Sequence, residues 1–379
     1  MIIPEEVLNQ YNKVRHKTDT SVVCHAPFVS MNFEQNGNVR ACCYNTQHIL
    51  GKWPEQTIRE IWESKDAETL RKYISKNDLG GGCSMCAHAL MAKNFAGSRA
   101  IFYDAQVAGK IPSSISFIKH KLGLKHRYPK VMEFEISNQC NLECVMCNGH
   151  FSSSIRKNRE KLPPLHSPYN DKFVEELEEF LPHLTDAKFL GGEPFMIDIY
   201  YKIWDRIKAV NPKMKVHITT NGTMLNQRIK DLVESFRTII IISLDSLNKE
   251  TYERIRVRSN FDNVMANIDY YHEYSLKSKN IFSIAVCPMI YNWKELPELQ
   301  KFCIEKNATM HFNTVEYPKH LSLRILPPEE LENIIQYLGK SSLEELPGGE
   351  NDIRNTSVRT YNNFIHLLKD WKNQAGKGY

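Results

Sequence analysis

The sequence predicts an α/β chain: an open, partial barrel of six parallel strands preceded by a small cysteine-rich module. Three observations predict it. From residue 131 to about 315, short β-rich runs alternate with amphipathic helical stretches. Glycine-rich and polar motifs fall at the ends of those β-rich runs. The cysteines are clustered: of ten in 379 residues, five fall between 24 and 86 and three between 140 and 147.

The strands read as 131–137, 187–190, 215–220, 238–244, 281–287 and 309–315. Helices are expected near 170–181, 198–210, 226–236, 261–276 and 294–306. Alternation of this kind implies right-handed βαβ units and a parallel sheet. Six strands are too few for a closed eight-stranded barrel. Residues 1–100 differ, being rich in Cys, Gly and Asn, with strand-like pieces at Val29–Phe33 and Asn38–Ala41 and one helix. Thr57 can cap that helix, and Ile58, Ile61, Trp62 and Leu70 mark its apolar face. Pro327-Pro328 opens a further helix, and another follows Gly348-Gly349 around Tyr361–Lys372. The domains are therefore expected at 1–100 (module), 101–130 (linker helix), 131–326 (barrel) and 327–379 (helical extension).

The composition, 42% apolar and 25% charged, is that of a soluble globular protein, and a net charge of +5 does not by itself argue for nucleic acid. The nearest approach to a basic block, Lys119 to Arg127, reads as a solvated linker face. No apolar run approaches the ~18 residues of a membrane span, and the N-terminus lacks the pattern of a signal peptide. Ten cysteines without an export signal argue for metal or redox chemistry in a reducing, cytoplasmic compartment. Cys287 and Cys303 stand apart in apolar runs and read as buried structural thiols.

Cys140, Cys144 and Cys147 follow the first barrel strand with C-x3-C-x2-C spacing. Three thiolates on a short loop can hold three irons of a [4Fe–4S] cube and leave the fourth open. Zinc prefers four ligands and paired C-x2-C units. The motif resembles that of the radical S-adenosylmethionine (SAM) enzymes, whose core is a partial (β/α)6 barrel similar to a TIM barrel. The resemblance implies that the open iron chelates SAM, and that reductive cleavage yields methionine and a 5′-deoxyadenosyl radical.

It also implies roles for the strand-end motifs. Gly191-Gly192-Glu193-Pro194 resembles the family turn that holds the amino group of SAM; its glycines allow close backbone approach, and Glu193 adds an acceptor. Asn221 lies in Thr219-Thr220-Asn221-Gly222. Ser243 and Asp245, in alternate positions, can hydrogen-bond ribose hydroxyls. Arg256 matches an arginine that faces SAM or substrate in related peptide-modifying enzymes, with Arg254 and Arg258 competing for the role. Met146 stands where the family often has an aromatic residue beside adenine. No catalytic residue is assigned.

The N-terminal block reads Cys24-x12-Gly37-x4-Cys42-Cys43, then Cys83-x2-Cys86. It resembles the opening of the SPASM and twitch extensions of radical SAM proteins, here placed ahead of the barrel. Cys24, Cys42, Cys83 and Cys86 complete one auxiliary [4Fe–4S] cluster, with Cys43 the alternative to Cys42; four cysteines also suit zinc. The resulting expectation is an oxidoreductase that abstracts hydrogen from a peptide or protein side chain, with net oxidation, crosslinking or epimerisation. The alternative is a small-molecule substrate such as an aminoglycoside; a non-enzymatic metal-binding protein fits less well. The cofactors are two [4Fe–4S] clusters and SAM. The partners are substrate and an electron donor such as flavodoxin or ferredoxin, with no membrane and no nucleic acid.

Overall fold

A computed structural model describes residues 1–15, 20–95, 98–107, 127–347, 349 and 352–375. Most of the linker expected over 101–130, the basic run from Lys119 up to Arg127, and Gly348 lie outside the described residues. The chain divides into two compact units. The first comprises Met1–Ser137, His166–Gly191 and Ile197–Val216; the second comprises Asn138–Leu165, Gly192–Met196 and His217–Tyr379.

In the first unit, β1 (Ser30–Glu34), β2 (Asn38–Arg40) and β3 (Gly51–Lys52) form an antiparallel edge. β1 then pairs in parallel with β4 (Val131–Glu135), and β4 with β5 (Asp186–Phe189). The sequence did not predict that a module strand would extend the barrel strands. Alternation gives this sheet two unlike faces. On one face Phe33 stacks on Phe134 at 5.5 Å and Phe134 on Phe189 at 5.0 Å, with Phe173 and Trp204 closing over them from helices 171–177 and 198–210. Such ring pairs add roughly 0.5–1.5 kcal/mol each beyond their burial. The other face is polar: Ser30, Asn32 and Glu34 on β1, Glu133 and Glu135 on β4, Asp186 and Lys188 on β5.

Gly37 makes the β1–β2 turn with φ +90°, and a Cβ there would stand 2.1 Å from the Trp53 carbonyl oxygen. The glycine of the cysteine pattern is thus a backbone requirement. The single helix expected after Thr57 is two, Ile58–Trp62 and Lys65–Ser75. Thr57 and Glu60 form a reciprocal capping box on the first, and Ser64 starts the second by accepting from Ala67 N at 3.0 Å. A serine cap inside a continuous apolar pattern breaks the helix where periodicity alone continues it. Buried Arg71 donates to the carbonyls of Pro27 and Trp62, tying helix 65–75 to the turn after Cys24. Arg15 pairs with Asp104 at 2.6 Å and donates to Val22 O, so residues 22–25 are also fastened to the 3-10 helix Arg99–Gln106.

β6 (Lys215–Thr220) begins in the first unit and ends in the second. The second unit continues with β7 (Arg237–Ser243), β8 (Phe282–Val286) and β9 (Thr309–Phe312), parallel in the order β7-β8-β9. All six expected barrel strands are present. Helix Arg354–Ala375 packs on β9, where Phe364 meets Phe312 and Ser357 Oγ donates to Ala308 O, and it carries helix Pro328–Gly339, with Tyr361 OH donating to Leu338 O. No helix among the described residues is long and apolar enough to cross a membrane.

Candidate functional site

In the second unit, Cys140, Cys144 and Cys147 lie on a loop held from both sides. Glu143 N donates to Val257 O and Val145 N to Ile255 O, while Cys140 N donates to Ser153 Oγ at 3.1 Å. Glu143 adds an ion pair to Arg258 and accepts from Asn158 and Ser154. The loop is thereby braced by residues 255–258 and by the short helix Ser153–Asn158. All three thiols are partly exposed. Burial pushes Cys140 up to about 11 and Cys147 up to about 12, with Cys144 adding to both, and burial and then Asp245 raise Cys144 against the nearby Arg256.

The strand-end motifs gather on this loop. A Cβ on Gly192 would sit 2.1 Å from Gln139 O, and Glu193 N donates to the same oxygen at 2.6 Å. Only glycine lets the turn lie so close to the loop. Glu193 is fully buried and accepts from Thr220 Oγ1, Asn221 N and Phe195 N at 2.8, 2.7 and 3.2 Å. Burial pushes its carboxyl up to about 7 against those donors. Glu193 therefore clips the turn to the end of β6. Asn221 Nδ2 donates to Asn141 Oδ1 at 2.9 Å and stands 4.0 Å from Cys140 Sγ; Asn141 in turn donates to Thr223. Asn141 and Thr223 were missed by sequence reasoning. Their only signal was proximity to the cysteine and Asn-Gly motifs.

Asp245 and Arg256 pair at 2.8 Å, both buried. Asp245 Oδ1 accepts from Cys287 N at 2.7 Å, and Arg256 Nη1 lies 3.9 Å from Cys144 Sγ. Burial works against the Arg256 charge, but Asp245 and Cys144 more than offset it, so a guanidinium faces the thiols. Asp245, the residue expected at the ribose, thus has Oδ1 on Cys287 N and Oδ2 in the ion pair with Arg256. Ser243, partly buried, carries a hydroxyl at the strand end with no hydrogen-bond partner among the described residues. Arg258 serves Glu143, and Arg254 lies over the Tyr291 ring, which leaves Arg256 as the arginine at the thiols. Met146 packs against Ile255, Met289, Val315 and Leu321. Cys303 is buried as expected; Cys287 is partly exposed and belongs to this site.

In the first unit, Cys24, Cys42, Cys83 and Cys86 line one cavity, backed by Leu70 and Ile74 of helix 65–75 and closed by Arg99 and Tyr103. Ala26 N and Asn45 Nδ2 each approach a cysteine sulfur, Cys24 and Cys83, at 3.4 Å. Cys42 lines the cavity; adjacent Cys43 is exposed and faces Glu133, Arg99, Lys188 and Glu135. Among the described residues no three His, Cys, Asp or Glu side chains converge as the ligands of a single ion would. The thiols instead surround a space, and N–H donors already point at sulfur. Both features fit a multi-atom iron–sulfur cluster with thiolate ligands. The second-unit loop fits likewise, with three accessible thiols and an arginine beside them.

Tyr103 also reaches the polar face. Its hydroxyl donates to Glu133 Oε1 at 3.0 Å, and Lys188 Nζ bonds the same oxygen at 2.9 Å. Burial alone would raise Glu133; Lys188 and Arg99 more than offset it, and its carboxyl is held below the usual range. Burial draws Lys188 down to about 8.

Comparison with known proteins bears on both sites. The radical SAM superfamily profile matches residues 134–303, and the SPASM profile, an iron–sulfur cluster-binding domain, matches residues 24–87. Among curated proteins, the probable GTP 3′,8-cyclase of Methanocaldococcus jannaschii is 28% identical over 202 residues, 51% of this chain and 60% of that protein. The GTP 3′,8-cyclase of Aquifex aeolicus is 28% identical over 199 residues, 50% of this chain and 56% of that protein. The chain thus spans less than two thirds of the length of these relatives. Among solved structures, native anSMEcpe with bound AdoMet gives a TM-score of 0.44 at 18% identity, covering 56% of this chain and 59% of that one. Streptococcus suis SuiB bound to S-adenosylmethionine gives 0.43 at 15%, covering 72% and 62%.

Proposed function

From the premise that the chain carries a radical SAM domain with a SPASM module N-terminal to it, we propose that it oxidises a peptide or protein side chain by radical chemistry. Such a protein uses SAM and [4Fe–4S] clusters, including an auxiliary one. We assign Cys140, Cys144 and Cys147 to the SAM-binding cluster, and Cys24, Cys42, Cys83 and Cys86 to the auxiliary cluster. When bound, these groups supply the electron that splits SAM and a one-electron acceptor.

The chain's own residues do the rest. Gly192, Asn221 and Glu193 fix the loop and strand end against which SAM would lie. Arg256, held by Asp245, keeps positive charge at Cys144. The observation that carries the oxidative reading is the position of Tyr103. One residue lines the auxiliary thiol cavity and hydrogen-bonds Glu133 on the polar face of β4, so a substrate on that face is one side chain away from an electron acceptor. Glu135, whose carboxyl is pushed up to about 7 by burial, is available to take the accompanying proton. We further place the protein in the cytoplasm, with a flavodoxin or ferredoxin as electron donor.

The names of the relatives favour a second reading, cyclisation of GTP. The polar face weighs against it on two counts, since Lys188 is committed to Glu133 and Arg40 to Glu34 while Glu135 adds a carboxylate; Arg99, beside Cys43 and Glu133, is the cation there without a carboxylate ion pair among the described residues. The test is to incubate reduced enzyme with SAM and either a peptide digest or GTP, reading 5′-deoxyadenosine and product masses. Loss of two hydrogens from a peptide is the expected result. Conversion of GTP with every peptide inert would sink the proposal.

A further inference from the structure

Among the described residues, the polar face holds one carboxylate with neither a cation nor a hydrogen-bond donor. Glu34 and Glu135 are register partners at the C-terminal ends of β1 and β4. Glu34 is bonded by Arg40 Nε at 2.5 Å, and Glu133, two residues before Glu135, by Lys188 and Tyr103. Glu135 has neither an ion pair nor a hydrogen bond among the described residues. It sits partly buried with Glu34 and Glu133 as its charged neighbours, and burial first, then those two carboxylates, push it up to about 7. Like charges opposite one another on adjacent strands are destabilising, and among the described residues Arg40 offsets the Glu34 side of this pair while no cation offsets the Glu135 side.

A second observation points to a ligand on the same face. Asn32, the register partner of Glu133 and two residues before Glu34, is 1% exposed, and its Nδ2 has no acceptor. A buried amide donor left unpaired costs on the order of 1–3 kcal/mol. The face therefore offers a carboxylate lacking a cation and an amide lacking an acceptor. It also abuts the glycine turn: a Cβ on Gly191 would stand 3.7 Å from Glu135 Cα.

We propose that this face of β1, β4 and β5 is a substrate subsite for a cationic group, the ammonium or guanidinium of a basic peptide residue, with Glu135 as its counter-ion and Asn32 as donor to a carbonyl of the same residue. The inference rests on the peptide reading above and names its substrate class. A full positive charge suits the site better than a neutral N–H, because Glu34 and Glu133 add to the field at Glu135.

The experiment uses the cluster-loaded full chain and two probes, Nα-acetyl-lysine methylamide and its uncharged analogue Nα-acetyl-norleucine methylamide, with binding read by saturation-transfer NMR. The lysine probe should bind at least tenfold more tightly. Glu135→Gln should abolish that preference, while Glu55→Gln, an exposed carboxylate of the same unit, should keep it. A thermal melt confirms that Glu135→Gln is folded; if it is not, the two probes on the parent chain still decide. Equal affinity for both probes, no binding of either at millimolar concentration, a preference that survives in folded Glu135→Gln, or displacement of the lysine probe by GTP would each overturn the proposal. A lysine preference in an enzyme that oxidises no peptide would leave the subsite standing and remove the proposed reaction instead.

Discussion

Tyr103 donates a 3.0 Å hydrogen bond to Glu133 while lining the cavity of Cys24, Cys42, Cys83 and Cys86. The residue belongs at once to the thiol cavity and to the polar face of the parallel strands. Tyr103→Phe keeps the ring and removes the bond. Glu133 retains Lys188, so the stability cost should be about 1 kcal/mol. If Tyr103 couples the two places, oxidised product per 5′-deoxyadenosine should fall severalfold, measured by chromatography of both. An unchanged ratio would make the residue a structural wall.

Cys42 and Cys43 are neighbours in sequence but not in environment. Cys42 lines the thiol cavity, and Cys43 faces the charged groups of the polar face. Cys42→Ser should cost close to four irons per chain, and Cys43→Ser none. Iron analysis of anaerobically reconstituted protein decides, and the reverse result would reassign the ligand.

How much of this was legible follows from the kind of signal each feature leaves. The six barrel strands, Cys140, Cys144 and Cys147, and Gly192 were readable because spacing and glycine are local. The parallel pairing of β1 with β4 was not, since about a hundred residues separate the partners and no short-range pattern encodes it. The sequence already put Cys42 ahead of Cys43; that Cys42 lines the cavity while Cys43 faces charged groups needed three-dimensional packing, as did the pairing of Asp245 with Arg256. Alternation predicted which side of the strand Asp245 faces, but not that an arginine eleven residues on would fill that space.

That pairing gives a third prediction. Asp245→Asn keeps an acceptor for Cys287 N but leaves Arg256 buried without its counter-ion. Removing one partner of a buried pair costs about 3–5 kcal/mol. Chemical denaturation should show a loss of that order, and 5′-deoxyadenosine formation should fall with it, because Arg256 would no longer be held beside Cys144. A variant of parental stability would mean that Arg256 has another counter-charge.

The unpaired carboxylate yields the last prediction. The carboxyl of Glu135 rises from 4.5 to about 7 in the folded chain, through burial and the proximity of Glu34 and Glu133. Between those two values the folded state holds a proton at Glu135 that the unfolded chain has released. Stability must therefore fall as pH rises through this window, and the loss is complete above pH 7. Its size is on the order of 1–3 kcal/mol. Glutamine cannot ionise, so Glu135→Gln should match the parent near pH 4.5 and exceed it by most of that amount at pH 7.5, read from denaturation midpoints. Other titrating groups are common to both chains and largely cancel in the difference, although Cys43 and Lys188 near the same face call for a comparison kept below pH 8. A cation bound at Glu135 should recover the same energy in the parent alone. Lysine methylamide at saturating concentration should accordingly narrow the gap between the two chains, and a gap that ignores both pH and probe would show that Glu135 already has a partner.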